Sequence, residues 1–365
     1  MFGRSWRIGK IAGIPVNIDS SWVWIAVLVT WTLVGLFSNR FFHLTTGEAL
    51  AYALAAAILF FFSVFLHELA HAVAARLNGI EVFGITLVVF GGFTSARSDQ
   101  KGPGASFVIS AVGPGTSLAI AGGSLGLSGP LEGPLGGVFW YLGSVNAIMA
   151  VFNLLPGLPL DGGRMLEAVV WRITRSRERA TRIAARAGVV VALLVIGLGV
   201  YEAAQTRSLA GALWPILIGM FLLQGARGSE QQITLRRRLR GATVAQAMGP
   251  PPAAIPADLP LSHALDRFAN AHGGEAFPVI EDGGRVIGVV TFEAARPIGM
   301  RDPSRPVRDA TIPLSEIVTV HEDQPLEDVA GRLASGAPAL VLRDDRLVGE
   351  LSAATLSRWL ELTHG

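Results

Sequence analysis

Residues 62–75 read FSVFLHELAHAVAA, a stretch whose only ionisable side chains are His67, Glu68 and His71. It belongs to a longer apolar run, residues 49–77, which as a helix is long enough to cross the roughly 30 Å hydrocarbon core of a bilayer. An ionisable group without a partner at the bilayer centre costs roughly 2–3 kcal/mol or more. Three such groups within five residues therefore indicate a functional site, rather than a chance match whose histidines only form helix–helix hydrogen bonds.

The composition of the whole chain also indicates a membrane protein. Of its 365 residues, 51% are hydrophobic and only 16% are charged, against roughly a quarter charged in ordinary soluble domains. The net charge of +2 is too small for a nucleic-acid binder that works by neutralising phosphates, so we expect no nucleic-acid partner. The chain contains no cysteine, and any metal must therefore be held by histidines and carboxylates.

Six apolar stretches predict a polytopic α-helical membrane domain with about six transmembrane helices. Lysines and arginines are concentrated in alternate connecting segments, which by the positive-inside rule places both termini in the cytoplasm. These basic residues are Arg4, Arg7 and Lys10 before the first span, Arg97 and Lys101 after the second, a run over residues 164–186 after the fourth, and Arg236, Arg237, Arg238 and Arg240 after the sixth. The predicted spans are residues 20–37, 49–77, 105–127, 135–155, 184–204 and 209–224.

The chain changes character after residue 240, where short β-like runs alternate with helical segments. The run from Arg285 to Thr291 is echoed by the run from Arg346 to Ser352, with an offset of 61 residues. Each unit is too small to bury much core alone, so the two are expected to pack as a pair. The predicted organisation is a transmembrane domain at residues 1–230, a basic linker at 231–242 and two repeats at 243–300 and 301–365.

The histidines of the first motif have the spacing of a metal site. On a helix, positions i and i+4 lie on one face, so His67 and His71 can offer imidazole nitrogens to the same zinc ion. Glu68 follows the first histidine and lies close enough to take a proton from an attacking water molecule. Two histidines leave a zinc site short of its third protein ligand.

Asp161 is the candidate for that third ligand. It ends the segment NLLPGLPLD, residues 153–161, where Pro156 and Pro159 should break the fourth span and let the carboxylate turn toward the histidines. Asp161 as an ordinary cap of a helix beginning at Gly162 is the alternative for this residue. Glu167 and Glu178 are the alternative carboxylates for the metal.

With these two motifs the chain resembles the site-2 protease family of intramembrane metalloproteases. The sequence from His67 to His71 fits the family's zinc-binding motif, and residues 153–156 with 160–162 fit its second motif. The resemblance implies that His67, His71 and Asp161 hold one zinc ion per chain. It also implies that Glu68 is the general base and then the proton donor, and that Asn153 lies near the scissile peptide.

The repeated C-terminal region resembles a tandem pair of CBS domains, from about Thr243 to the C-terminus. The resemblance implies an α/β domain that binds adenine nucleotides and gates the domain attached to it. The family's acidic ribose-binding position falls on Ala294 and Thr355, and both depart from the pattern. A docking or homodimerisation module without a nucleotide is therefore the alternative.

A β element is predicted between the second and third spans. Residues 81–94 are β-branched and aromatic and read as one or two membrane-associated strands. An exposed edge there can accept an extended substrate as an added strand. A hairpin that only covers the site is the alternative.

These observations predict an intramembrane zinc metalloendopeptidase that cleaves transmembrane protein substrates, as in regulated intramembrane proteolysis. The protein would be a multi-pass membrane protein in contact with lipid, and its CBS pair would gate the cytoplasmic side. The rival is a CBS-gated transporter or channel in which the His/Glu cluster lines an ion path.

Overall fold

The computed structural model describes residues 5–38, 44–88, 91–96, 102–206, 209–270, 276–335 and 338–364. The basic residues Arg4, Arg97 and Lys101 lie outside these ranges, as does the side chain of Arg236. The chain divides into two compact units, Met1–Ile233 and Thr234–Gly365.

The first unit contains seven helices among the residues described, together with one small sheet. In chain order its elements are β1 (Ser5–Ile11), β2 (Ile14–Asp19), α1 (Ser21–Leu36), α2 (Thr46–Leu77), β3 (Val82–Val88), β4 (Gly91–Ala96), α3 (Pro103–Ser128), α4 (Gly133–Asn153), α5 (Asp161–Thr174), α6 (Arg177–Thr206) and α7 (Leu209–Leu239), the last of which continues into the second unit.

Four of the described helices, α2, α3, α4 and α6, are long and apolar enough to cross a membrane. Helix α1 is apolar but has only 16 residues. Helix α7 starts at the first residue of the predicted sixth span and continues well beyond its end. The mostly helical membrane fold is therefore confirmed, whereas the count of six spans stays a prediction.

The small sheet is larger than the sequence predicts. Its strand order is β1-β2-β3-β4, with β2 and β3 parallel and the other pairs antiparallel. Strands β1 and β2 have no counterpart in the sequence prediction, and they extend the predicted one or two strands into a four-stranded sheet. One face of this sheet packs on α2, where Ile14, Val16 and Ile85 share a buried cluster with Phe65 and Ala72. The sheet is thereby held against the helix turn that carries the two histidines.

Helix α3 packs against α2, α4 and α5, and a stripe of small buried residues runs along it. The stripe recurs every three or four residues, which places it on one helix face, and small side chains let neighbouring helices approach closely. Its members are Ser106, Ser110, Gly113, Ser117, Ala121 and Ser124.

The second unit is built from two similar repeats. Its elements are α8 (Val244–Ala247), β5 (Ile255–Pro256), α9 (Leu261–Asn270), β6 (Ala276–Ile280), β7 (Val286–Thr291), α10 (Phe292–Gly299), β8 (Ile312–Pro313), β9 (Thr319–His321), α11 (Leu326–Val329), β10 (Ala339–Arg343), β11 (Arg346–Leu351) and α12 (Ala353–His364). The first repeat contains the four-stranded sheet β5-β6-β7-β8, and the second contains the three-stranded sheet β11-β10-β9.

In each repeat a short strand pairs in parallel with the first strand of an antiparallel hairpin, β5 with β6 and β9 with β10. Val286, Val289 and Leu340 form a buried cluster between the hairpins. The beginning of the predicted first repeat packs elsewhere, because Val244 and Ala247 are buried in the core of the second repeat. The expected pair of α/β repeats is thus present.

Candidate metal centre

The turn between α4 and α5 places Asp161 at the start of a helix. Helix α4 ends at Asn153, and α5 begins at Asp161 after the turn that contains Pro156 and Pro159. The backbone N–H of Leu158 donates to the carbonyl of Ala184 on α6, with 3.1 Å between nitrogen and oxygen. The break predicted from the two prolines therefore lies at the expected place, and α6 supports it.

Glycine is required where this turn meets α6. A Cβ atom on Gly188 would lie 2.0 Å from the carbonyl oxygen of Leu158, and one on Gly157 would lie 2.5 Å from the Cα of Gly188. No side chain fits at those distances, so the backbones of the turn and the helix touch directly. This contact fixes the position of Asp161, which follows Leu158 by three residues.

The structure brings His67, His71 and Asp161 together. Asp161 Oδ2 lies 3.2 Å from Nε2 of His67 and 3.2 Å from Nε2 of His71, and the two Nε2 atoms are also 3.2 Å apart. His67 is only 5% exposed. Among the described residues this is the only group of three or more His, Cys, Asp and Glu side chains arranged to hold a metal ion.

The donor atoms have the spacing that zinc requires. A tetrahedral zinc site with bonds of about 2.0–2.1 Å separates its ligand atoms by about 3.3 Å. Nδ1 of His71 lies 2.6 Å from the carbonyl oxygen of Ile109, which can only accept a hydrogen bond. We therefore assign the ring hydrogen of His71 to Nδ1, which leaves a lone pair on Nε2 facing the other two donors. A cation is the group that such a set of converging lone pairs fits.

Glu68 lies beside this cluster on α2, the helix that carries the two histidines. It is half-buried, and its Oε2 accepts a hydrogen bond from Oγ1 of Thr94 on β4 at 3.4 Å. The backbone of β4 passes so close that a Cβ on Gly92 would lie 2.6 Å from Cγ of Glu68. The sheet thereby fixes the carboxylate that the sequence singles out as the base.

Asn153 is the last residue of α4 and is half-buried at the mouth of the proline turn. It precedes Asp161 by eight residues. Its placement near a scissile peptide stays a prediction.

The two alternative carboxylates are occupied elsewhere. Oε1 of Glu167 accepts a hydrogen bond from Oγ1 of Thr181 on α6 at 2.6 Å and lies 3.6 Å from Nε of Arg177. Glu178 pairs with Arg182 one turn further along α6, at 2.8 Å. Both carboxylates connect helices or helix turns, and neither belongs to the His–His–Asp group.

Sequence reasoning missed the part of helix α3 that contacts the histidines. Ser117 lies 2.9 Å from Nδ1 of His67, and the carbonyl of Ile109 holds His71. The sequence signal for this face is the stripe of small residues, together with the segment Gly113-Pro114-Gly115. Both patterns indicate close helix packing or a kink rather than a site.

The chain matches two known protein families and is similar to named metalloproteases. The sequence matches peptidase family M50 over residues 55–133 and 130–195, and the CBS domain over residues 244–295 and 307–362. A relative from Mycobacterium tuberculosis, named zinc metalloprotease Rip3, is 34% identical, with 97% of this chain and 92% of that protein covered. A relative from Synechocystis, named zinc metalloprotease sll0528, is 33% identical, with coverage of 97% and 95%. The solved structure of a site-2 protease from Methanocaldococcus jannaschii matches with a TM-score of 0.45 and 25% identity, over 62% of this chain and 95% of that one.

The family match, the named relatives and the four apolar helices of membrane-spanning length define a membrane zinc metallopeptidase. The chain belongs to peptidase family M50, the site-2 proteases, and carries a C-terminal pair of CBS domains.

Proposed function

We propose that this metallopeptidase cleaves peptide bonds of membrane-spanning protein substrates at a zinc ion held by His67, His71 and Asp161. The observation that carries the proposal is the triangle of three donor atoms, each 3.2 Å from the other two. It lies among apolar helices of membrane-spanning length. Two of its donors come from α2 and the third from the proline turn, so the site needs both motifs.

When bound, zinc supplies a Lewis acid that polarises the scissile carbonyl and makes the attacking water more acidic. Glu68 accepts the proton of the attacking water on its carboxylate. It then donates that proton to the leaving amide nitrogen, which completes the cleavage of the C–N bond. The hydrogen bond from Thr94 and the packing of β4 hold the carboxylate in place for both transfers.

Strand β4 supports the binding of an extended substrate. It ends the strand order of the sheet and therefore has one edge without a strand partner among the described residues. A substrate helix must unwind before hydrolysis, because an intact helix keeps its carbonyls hydrogen-bonded. Pairing of the unwound segment with β4 would satisfy its main-chain groups beside Glu68.

Zinc analysis of the purified chain tests this proposal. We expect about one zinc per chain in the wild type and loss of both zinc and cleavage in His67→Ala. His263→Ala is the matched control, because His263 is an exposed residue of α9 outside the donor group. Ion flux through liposomes without any peptide product would contradict the proposal and favour a transporter.

We place the chain in the membrane as a multi-pass protein with both termini in the cytoplasm. The support is the alternation of basic connecting segments with apolar spans. The arginine-rich residues from Arg164 to Arg186 then lie on the cytoplasmic side, next to the proline turn that ends at Asp161.

The CBS pair is proposed to gate the site through α7. In the first unit, a Cβ on Gly225 of this helix would lie 2.7 Å from Cγ of Pro159, two residues before Asp161. In the second unit, Leu239 at the end of the same helix is 1% exposed within the core of the second repeat. A displacement of Gly225 would change its packing against Pro159, in the turn that carries the metal ligand.

Adding ATP to the full-length chain tests whether this gating uses a nucleotide. If it does, the rate of substrate cleavage changes on addition of ATP, and ATP binds measurably to the purified protein. The two ribose-binding positions give a specific reason to expect no effect of ATP. Ala294 has no side-chain hydrogen-bond acceptor, and Oγ1 of Thr355 already accepts a hydrogen bond from the backbone N–H of Ser352 at 2.9 Å. Identical rates with and without ATP would contradict nucleotide gating and leave docking or self-association as the role of the pair.

A further inference from the structure

One face of α3 contacts both metal-binding histidines at Nδ1, the ring nitrogen that does not belong to the donor group. Nδ1 of His67 lies 2.9 Å from Oγ of Ser117, and Nδ1 of His71 lies 2.6 Å from the carbonyl oxygen of Ile109. Residues 109 and 117 are two helical turns apart on the same face. Each ring is therefore held at Nδ1 by the same helix, while its Nε2 points toward Asp161.

Gly113 lies midway between these two contacts. A Cβ atom there would lie 2.2 Å from Nε2 of His71 and 2.8 Å from Nε2 of His67. Both rings consequently lie directly against the bare backbone of α3. The carbonyl of Ile109 lies about one helical turn before Gly113, and the hydroxyl of Ser117 lies about one turn after it. The absence of a side chain at Gly113 leaves room for the two imidazoles between these contacts.

We propose that Ser117 is a positioning residue that orients His67 for metal binding, an inference that rests on the proposed zinc centre. Its hydroxyl oxygen accepts a hydrogen bond from Nδ1–H of His67 and leaves the lone pair of Nε2 available to the metal. A group that hydrogen-bonds the ring nitrogen not bound to the metal fixes the tautomer and the ring orientation of a metal-bound histidine. Ser117 is fully buried, at 0% exposure, so water cannot replace its hydroxyl without rearrangement.

The two histidines differ in how this second contact can be changed. His71 is held by a backbone carbonyl, which no substitution removes. His67 is held by a side chain, so the contact can be deleted in Ser117→Ala and retained in Ser117→Thr. Ser124→Ala is a matched control, because Ser124 is a buried serine on the same face of α3, two turns beyond Ser117.

Zinc affinity measured by competition with a chromophoric chelator is the direct test on the full-length chain. We expect Ser117→Ala to bind zinc about 10- to 100-fold more weakly, which is the usual effect of removing the hydrogen-bond partner of a metal-binding residue. Ser117→Thr and Ser124→Ala should bind zinc as the wild type does. With Co²⁺ in place of zinc, the visible absorption of Ser117→Ala should shift while that of Ser124→Ala does not.

A double-mutant cycle separates positioning from a general packing role. In the metal-free chain, Ser117→Ala should lower the thermal midpoint less in the His67→Ala background than in the wild type, because the hydrogen-bond partner is already gone. Additive effects of the two substitutions, or wild-type zinc affinity in Ser117→Ala, would overturn the positioning role. Either outcome would overturn the role of Ser117 without contradicting the zinc centre. Stoichiometric zinc in His67→Ala would instead refute the zinc centre itself.

Discussion

Glu68→Gln is expected to bind zinc normally and to lose peptide hydrolysis. The amide has nearly the shape of the carboxylate, and Glu68 is not one of the three clustered donors. The glutamine side chain, however, cannot take the proton of the attacking water or return it to the leaving nitrogen. General acid–base groups contribute roughly 10²–10⁴-fold to a rate, so we expect a loss of that size in kcat, measured on a purified transmembrane substrate.

The control for this experiment is Glu132→Gln, which removes an exposed carboxylate at the start of α4. It should cleave at the wild-type rate. The zinc content of both variants must match that of the wild type for the comparison to hold. Cleavage by purified Glu68→Gln within a few-fold of the wild type would refute the assigned mechanism.

Asp161→Ala is expected to lose zinc, whereas Glu167→Ala should retain it. Asp161 supplies the only carboxylate oxygen within 3.2 Å of both Nε2 atoms among the residues that the structure describes. Its removal should weaken zinc binding by more than the roughly 10–100-fold typical of losing an outer partner. Zinc per chain, measured after dialysis against a weak chelator, reads out this difference.

Glu167→Ala is an informative comparison because this carboxylate is buried, at 8% exposure. Its contacts with Thr181 and Arg177 connect α5 to α6. We expect it to lower the thermal midpoint of the protein while leaving about one zinc per chain. The reverse pattern, with zinc lost in Glu167→Ala and kept in Asp161→Ala, would transfer the third ligand to the glutamate.

The grouping of His67, His71 and Asp161 could be predicted because each of these residues carries a local signal. The spacing of His67 and His71 follows from helix geometry alone, and the burial cost of ionisable groups makes the motif stand out within an apolar run. Asp161 is distant in sequence, yet Pro156 and Pro159 mark the place where the chain stops being a helix. The structure brings these residues together across a separation of about 90 positions.

The sheet could be predicted only in part. Residues 81–94 have a clear β pattern, but the parallel pairing of Val16 with Ile85 joins segments 69 residues apart. No local pattern specifies such a partner. The first strand is also exposed along its whole length, so it lacks the alternation of buried and exposed residues that identifies a strand.

The role of α3 was beyond sequence reasoning for a different reason. Ser117 is one of several serines in an apolar helix, and a buried serine usually serves helix packing. What distinguishes it is the partner across the helix interface, Nδ1 of His67. That partner depends on the relative rotation of α2 and α3, which sequence periodicity does not define.

The central claim is that two imidazoles of one helix and a carboxylate from a distant turn hold a zinc ion. X-ray absorption at the zinc edge of the purified, zinc-loaded chain tests it most directly. We predict a first shell of nitrogen and oxygen with the scattering signature of two imidazoles, reduced to one in His71→Ala. A zinc shell without imidazole, or the same two-imidazole signature in His71→Ala, would contradict the account.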